Sequence, residues 1–129
     1  MKKIVLDTNF LMAQFEDKVD LASELRRITN EPISLVVSSG TINELKTLAG
    51  RVGKRSTGAR FVLQHFDRLR AAFGVEIIPN TGAVDGWIIK YAQENNVCVA
   101  TNDVPLRKRL LAMDVSVIAV KGRSKLDFV

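Results

Sequence analysis

Short apolar segments alternate with amphipathic stretches along the whole chain. The apolar segments span residues 3–6, 33–37, 75–78, 97–100 and 115–120, a length that suits buried strands. Between them, apolar residues recur three and four positions apart, as they do on one face of a helix. This alternation is typical of α/β proteins whose strands are joined by helical crossovers. We therefore predict a three-layer α/β/α fold with a central, mostly parallel sheet of five strands.

The clearest helical pattern begins near residue 84. Val84, Trp87, Ile88, Tyr91 and Ala92 form one apolar stripe, which outweighs the hairpin signal of the adjacent Asp85-Gly86 pair. The same periodicity, with its flanking turns, predicts helices near 21–28, 42–48, 59–73 and 106–113, a mobile loop over 51–58 and a polar, basic tail over 122–129.

The composition indicates a folded, water-soluble protein. The 129 residues suit a single domain, 1–129, and 47% hydrophobic with 26% charged residues is ordinary for a globular chain. No apolar run is long enough for a membrane span, and Lys2 and Lys3 precede too few apolar residues for a secretory signal. The single Cys98 cannot form an internal disulfide. We expect a cytoplasmic protein.

The charge balance favours a polyanionic partner. Lys and Arg number 19 against 14 Asp and Glu, which leaves a net charge of +5 and a pI near 9.7. Nucleic acid is the first partner that such a surface suggests, although a solvated surface would have the same composition. The candidate RNA-binding residues are Arg51, Lys54, Arg55, Arg60, Arg107, Lys121, Arg123 and Lys125.

Two predicted strands end in the same three residue types. Asp7-Thr8-Asn9 follows the first strand, and Thr101-Asn102-Asp103 follows the fourth. If the two strands are neighbours in a parallel sheet, Asp7 and Asp103 share one edge, with their strands about 4.8 Å apart. Two carboxylates at that separation repel unless a cation or a proton lies between them. Ligands of open α/β sheets bind at this edge.

Two further acids follow strands in the same way. Glu44 lies in the helix after the second strand, and Asp85 lies in the first turn of the helix after the third. Each acid has a local explanation, such as Asp103 as the N-cap before Val104-Pro105, or Asp85 at the positive end of a helix dipole. Their common side of the sheet favours a joint site. Four carboxylates without a His or Cys cluster suit Mg²⁺ or Mn²⁺.

This ordered set of acids resembles the PIN domain nucleases over nearly the whole chain. The matching positions are Asp7-Thr8-Asn9 after the first strand, Glu44, Asp85 and Thr101-Asn102-Asp103. Within that family, the Asp-Thr-Asn-Phe opening, residues 101–110 and the basic residues 121–125 look most like the ribosomal-RNA-processing factors and their small archaeal relatives.

The resemblance implies a Mg²⁺- or Mn²⁺-dependent endoribonuclease that leaves a 5′-phosphate and a 3′-hydroxyl. It implies that Asp7, Asp85 and Asp103 are metal ligands, and that Glu44 is a ligand or a group that orients water. The residues implied to support the acids or the scissile phosphate are Thr8, Asn9, Thr101 and Asn102.

Several functions share this pattern of residues. The nuclease could act in rRNA maturation or as the toxin of a toxin–antitoxin pair, with an antitoxin as partner. A non-catalytic RNA-binding ribosome-assembly factor is another reading, and PIN relatives often form homodimers. A haloacid-dehalogenase phosphatase is disfavoured, because its second Asp is replaced by Asn9. A receiver domain is disfavoured, because Pro79-Asn80 follows the third strand where its phosphorylated Asp should stand.

Overall fold

Helices cover both faces of one six-stranded sheet in the computed structural model, which describes all residues Met1–Val129. The strands are β1 (Lys2–Leu6), β2 (Ile33–Ser38), β3 (Val75–Ile78), β4 (Val97–Ala100), β5 (Val117–Lys121) and β6 (Lys125–Phe128). The helices are α1 (Thr8–Glu16), α2 (Leu21–Ile28), α3 (Ser39–Ala49), α4 (Lys54–Phe73), α5 (Val84–Glu94) and α6 (Val104–Ala112).

The strand order is β3-β2-β1-β4-β5-β6, and only β6 is antiparallel to its neighbour. From the central β1, the chain first builds the sheet outward through β2 and β3, and then crosses to the other side of β1 for β4 and β5. The reversal falls between β1 and β4, which pair in parallel. In open α/β sheets the ligand site lies beyond the carboxyl ends of the strands at this reversal.

Alternate residues of β1 point into two different cores. Ile4 and Leu6 pack in one apolar cluster with residues of α1 to α4, and Val5 packs in a second cluster with residues of α5 and α6. The sheet is thus buried on both faces, as parallel sheets are. This arrangement confirms the predicted three-layer α/β/α fold. None of the helices is both long enough and apolar enough to cross a bilayer.

The prediction of five strands and a polar tail over residues 122–129 is wrong. Gly122 and Ser124 have φ angles of +66° and +56°, and they turn the chain back so that β6 pairs with β5. Lys121 lies opposite Lys125 at the start of this hairpin. The segment reads as a tail because its residues are mostly polar, and polar side chains alone do not reveal an edge strand.

Contacts from α2 hold β6 in place. Leu126 is completely buried, and its backbone N–H donates to Oε1 of Glu24 at 2.9 Å. Its carbonyl accepts a 2.6 Å hydrogen bond from Nη2 of Arg27. The side chains of α2 therefore satisfy a strand edge that would otherwise be open.

The start of α4 also differs from the prediction. The helix begins at Lys54 rather than at residue 59, so the loop predicted over 51–58 is confined to residues 51–53. Gly58 is buried, and a side chain there would meet Phe15 and Met12 at 3.0 and 3.1 Å. The glycine weakens the helical pattern in the sequence, but it allows α4 to pack closely against α1. The helix α1 was not predicted, because residues 10–13 are apolar without a helical period.

Candidate active site

The register between β1 and β4 brings Asp7 and Thr101 together. Leu6 pairs with Ala100, so the next residue of each strand lies at the same carboxyl edge. Asp7 is only 5% exposed. Its Oδ2 accepts a 2.8 Å hydrogen bond from Oγ1 of Thr101, and its Oδ1 accepts one of 2.8 Å from the backbone N–H of Thr8. Both carboxylate oxygens are therefore held in a fixed orientation.

The same Thr101 hydroxyl also positions Asp103. Thr101 Oγ1 accepts a 3.1 Å hydrogen bond from the backbone N–H of Asp103. Asp103 is the N-cap of α6, since its Oδ1 accepts from the backbone N–H of Leu106 at 3.0 Å, and Pro105 stands in the first turn. Capping occupies Oδ1 of Asp103 and leaves its Oδ2 without a hydrogen-bond partner in the protein. Capping and participation in a site are compatible.

The electrostatic surroundings of Asp7 are unfavourable to its charge. Burial raises the pKa of the Asp7 carboxyl above the ordinary 3.8, the hydrogen bonds from Thr101 and Thr8 lower it, and the negative charges of Asp85 and Asp103 raise it further. None of the three ion pairs in the structure includes any of these carboxylates. The charges of Asp85 and Asp103 therefore act on Asp7, and none of the three acids has an ion-pair partner in the protein.

Asp85 and Glu44 differ in their relation to Asp7. Asp85 lies in the first turn of α5, as predicted, and its charge acts on Asp7. Glu44 is exposed on α3 and is not among the charges that shift the pKa of Asp7. It lies instead in a neighbouring groove of about 430 Å³, the α3 groove, whose polar and charged side chains come from Thr8, Asn9, Asn43, Glu44, Thr47, Arg51 and Arg55.

The acidic residues fit a hard divalent cation by their chemistry. No three His, Cys, Asp or Glu side chains converge in a geometry that could by itself hold a metal ion. Mg²⁺ commonly needs only one or two carboxylates, because waters and substrate phosphates complete its octahedron. The ligand atoms available at this edge are carboxylate and hydroxyl oxygens. Burial disfavours the ionised form of Asp7, so a cation beside it would be favourable. Asp7, Asp85 and Asp103 are the residues that would hold such an ion.

A chain of buried hydroxyls joins the site to α3. Thr8 Oγ1 donates to Thr41 Oγ1 at 3.1 Å, and Ser38 Oγ donates to the same oxygen at 3.2 Å. Ser38 is also the N-cap of α3, since its Oγ accepts from the backbone N–H of Thr41 at 3.0 Å. The sequence indicates Ser38, Ser39 or Gly40 as the start of this helix, and the structure selects Ser38 as its N-cap; the hydrogen bonds of Thr41 were not predicted. A Ser cap is recognisable in a sequence, but its link to Thr8 is not.

Asn80 connects the two helices that carry Glu44 and Asp85. Its Oδ1 accepts from the backbone N–H of Gly40 at 2.7 Å, at the start of α3. Its Nδ2 donates to the carbonyl of Gly82 at 3.0 Å, in the turn before α5. The turn at residues 79–82 was predicted, but its attachment to α3 depends on the tertiary structure.

The remaining predicted supporting residues have separate positions. Asn102 Oδ1 accepts a 2.9 Å hydrogen bond from the backbone N–H of Val120, so this side chain fastens the end of β4 to β5. Asn9 is exposed and lines the α3 groove. Arg60, a candidate for RNA binding, donates to the carbonyls of Ala49 and Arg51 at 2.9 and 3.5 Å. Its guanidinium therefore closes the end of α3.

Four of the other seven basic candidates form two groups. Arg51 and Arg55 line the α3 groove together with Glu44. Lys121 ends β5, and Arg123 lies in the turn after it, at the carboxyl edge of the parallel strands. The candidates outside these two groups are Lys54 at the start of α4, Arg107 on α6 and Lys125 on β6.

A cavity larger than the α3 groove lies away from the acidic edge. It encloses about 870 Å³ among α1, α2 and α4, and its lining includes Phe15, Phe61 and His65 but none of the four candidate acids. His65 stacks on Phe61 with ring centroids 4.0 Å apart, and its Nδ1 lies 2.8 Å from the Phe61 carbonyl. Because these contacts account for the histidine, we assign the candidate site by chemistry rather than by cavity size.

Comparison of the sequence with known proteins identifies relatives. A family model described as a PIN like domain matches residues 4–123. The chain is 33% identical over 127 residues to a protein named ribonuclease VapC4 from Methanocaldococcus jannaschii, and the match covers 95% of this chain and 93% of that protein.

Comparison with solved structures shows the same fold. The PIN domain endonuclease Utp24 superposes with a TM-score of 0.77 and 23% identity, covering 98% of this chain and 90% of that one. A domain of a functionally unknown protein from Methanocaldococcus jannaschii superposes with a TM-score of 0.68 and 14% identity, covering 95% of this chain and 93% of the domain.

Proposed function

We propose that this chain, which belongs to the PIN-like domain family, is a cytoplasmic, metal-dependent endoribonuclease. The observation that carries the proposal is the buried Asp7 carboxylate. The negative charges of Asp85 and Asp103 raise its pKa, and it has no cationic partner in the protein. Its position at the reversal of strand order is where open α/β sheets bind ligands. RNA is the substrate we infer, since the relative that is 33% identical is named a ribonuclease.

The roles of the acids follow from their positions. Asp7, Asp85 and Asp103 would hold Mg²⁺ or Mn²⁺, which would supply activation of water and compensation of the charge on the phosphate. Thr101 keeps the Asp7 carboxylate oriented through its 2.8 Å hydrogen bond. Glu44, exposed on α3 beside Thr8 and Asn9, orients the attacking water or adds a further carboxylate oxygen.

Basic residues on both sides of the acids suit the RNA backbone. Arg51 and Arg55 lie in the α3 groove, and Lys121 and Arg123 lie at the carboxyl edge beyond β4. Contacts of Lys and Arg to phosphates give affinity that does not depend on base sequence. An RNA strand that bridges the two groups would pass over the acids.

The test is cleavage of RNA by the purified protein with Mg²⁺ or Mn²⁺. We expect cutting of single-stranded or structured RNA with 5′-phosphate products, and a loss of more than about 100-fold in Asp7→Asn, which removes a proposed ligand. Asp67→Asn, an exposed position on α4, is the matched control. Circular dichroism establishes that both variants are folded. Equal cleavage by wild type and Asp7→Asn would contradict the proposal.

The cellular setting that we favour is rRNA processing, because residues 101–110 and 121–125 are similar to those of rRNA-processing members of the family. The alternative is the toxin of a toxin–antitoxin pair, and the identity of 33% to ribonuclease VapC4 favours it. Growth arrest on expression, relieved by the product of a neighbouring gene, would decide for the toxin. Specific cleavage of precursor rRNA would decide for processing.

A ribosome-assembly factor that binds RNA without cutting it is the candidate from a different class. The exposed basic residues in the α3 groove and at the β5–β6 turn favour it. Salt-sensitive RNA binding with no cleavage under any divalent ion would replace the nuclease proposal with this one. Sedimentation of the same samples tests the homodimer that the family resemblance suggests.

A further inference from the structure

Several polar side chains that line the α3 groove have no hydrogen-bond partner in the protein. Residues 40, 43, 44, 47, 48 and 51 lie three or four positions apart, so one exposed stripe of α3 and its C-terminal end forms one wall. The opposite side of the helix buries Thr41 and Leu45. The side chains of Asn9, Asn43 and Glu44 make no hydrogen bond within the protein, in contrast to those of Asn80 and Asn102 nearby.

The lining excludes most classes of ligand. Leu48 is its single hydrophobic residue, so an acyl chain or an apolar peptide would find no matching surface. The guanidinium of Arg51 supplies positive charge and a flat face, which suit a phosphate and base stacking, whereas Nε of Arg55 lies 3.8 Å from Oε2 of Glu16 in an ion pair. Asn43 offers both donors and acceptors, and Glu44 offers acceptors. A volume of about 430 Å³ is that of a small-ligand pocket.

A nucleotide with an unpaired base combines the groups that this lining requires. Base edges that can bond to amide and carboxylate side chains are accessible to proteins mainly in single strands, loops and bulges of RNA. In an A-form duplex the Watson–Crick edges are paired and the major groove is too deep and narrow for side chains, so only the minor-groove edges of the bases stay accessible. The α3 groove is lined by Thr8 and Asn9, which directly follow Asp7 in the chain, and the backbone N–H of Thr8 donates to Oδ1 of Asp7, so an occupant of the groove would lie on the Asp7 side of the acidic edge.

We propose that the α3 groove is a nucleotide subsite in which Asn43 and Arg51 select one unpaired nucleotide and hold it next to the scissile phosphate. Arg51 binds the phosphate of this nucleotide or stacks on its base, and Asn43 bonds to the base edge. The placement of this nucleotide beside the scissile phosphate rests on the proposed nuclease function. Binding of the nucleotide in the groove does not depend on that function.

The experiment measures binding without cleavage. A short, fluorescently labelled, unstructured RNA is titrated with the protein in EDTA, and fluorescence anisotropy is compared with that of the same strand annealed to its complement. The variants Asn43→Ala and Arg51→Ala alter the groove. Asn30→Ala and Arg109→Ala are the matched controls, since both residues are exposed and lie outside the groove.

We expect Asn43→Ala to weaken binding of the single strand about fivefold or more relative to Asn30→Ala, as loss of a base contact does. Arg51→Ala should weaken it more than Arg109→Ala and reduce the slope of log affinity against log salt by about 1. Affinity for the duplex should change little in Asn43→Ala. Equal single-strand affinities of Asn43→Ala and Asn30→Ala, or an equal loss for the duplex, would overturn the proposal.

Failure of the two proposals can be told apart. If the protein cuts RNA with Mn²⁺ but Asn43→Ala binds like Asn30→Ala, the nuclease stands and the subsite is wrong. If the contrast between these two variants persists and no divalent ion supports cleavage, the nuclease is wrong and the subsite stands. Where both hold, the cleavage pattern of Asn43→Ala on a mixed-sequence RNA should be less selective than that of Asn30→Ala.

Discussion

The hydroxyl of Thr101 bonds to Oδ2 of Asp7 at 2.8 Å, across the junction of β1 and β4. The same oxygen accepts the backbone N–H of Asp103 at 3.1 Å. The Thr101 side chain thus donates to the Asp7 carboxylate and holds the backbone N–H of Asp103. A hydroxyl is suited to this position because it can donate and accept at once.

Thr101→Val should impair the site more than the fold. The change removes the bond that lowers the pKa of Asp7, so that pKa should rise further and the acidic limb of the rate profile should move to higher pH. We expect about 10- to 100-fold less RNA cleavage and a loss of about 1–3 kcal/mol in the free energy of unfolding. Thr101→Ser retains the hydroxyl and should restore most of the activity. A Val variant with an unchanged pH profile would contradict this role.

The charge of Asp7 should destabilise the protein in the absence of a divalent ion. Since burial raises the folded-state pKa above 3.8, the folded protein binds the proton more tightly than the unfolded chain. The free energy of unfolding therefore falls as pH rises from 3.8 to the raised value, and stays lower above it. Asp7→Asn should be more stable than wild type at neutral pH in EDTA, and the difference should vanish below pH 3.8. Urea unfolding across pH measures this, and Asp67→Asn should show no such trend.

A divalent ion should remove that destabilisation. Binding to the folded state alone raises the free energy of unfolding in proportion to the logarithm of ion concentration, about 2.7 kcal/mol at 100 times the dissociation constant. Thermal unfolding with increasing Mn²⁺ should show a rising midpoint for wild type and a much smaller rise for Asp7→Asn. Equal shifts in the two proteins would mean that Mn²⁺ binds elsewhere.

Gly40 should resist substitution although its backbone is not in the left-handed region. A Cβ at this position would lie 2.7 Å from Oδ1 of Asn80 and 2.9 Å from Cγ2 of Val84. Gly40→Ala should cost about 1–3 kcal/mol through this crowding. Gly86→Ala on α5 meets no atom within 4 Å and should instead stabilise the protein by about 0.5–1 kcal/mol. Chemical denaturation of the two variants tests whether the contact between Asn80 and α3 is as tight as the structure shows.

The C-terminal hairpin should contribute to stability. Leu126 is fully buried, so Leu126→Ala should cost about 2–5 kcal/mol in the free energy of unfolding. Phe128 lies on the same strand and is 41% exposed, so Phe128→Ala should lower the free energy of unfolding by only about 1 kcal/mol. If both variants unfold like wild type, residues 122–129 are a tail after all.

The sequence by itself determined the layered α/β plan and the edge at which the acids lie. Buried strands and amphipathic helices leave local patterns in the sequence. These patterns locate the end of each strand and therefore the polar residues that follow it. Parallel strands share their carboxyl edge, so Asp7 and Asp103 could be placed together without coordinates.

Only the tertiary structure decided which side chains complete that edge. β6 depends on Leu126 bonding to Glu24 and Arg27 of α2, about a hundred residues away in sequence. The links of Thr101 to Asp7 and of Asn80 to Gly40 likewise join distant segments. The Asp7 pKa is raised because the folded chain buries this carboxyl. The α3 groove exists because the end of β1, α3 and the start of α4 lie next to one another. These properties depend on pairwise distances between remote residues, which periodicity along the chain does not encode.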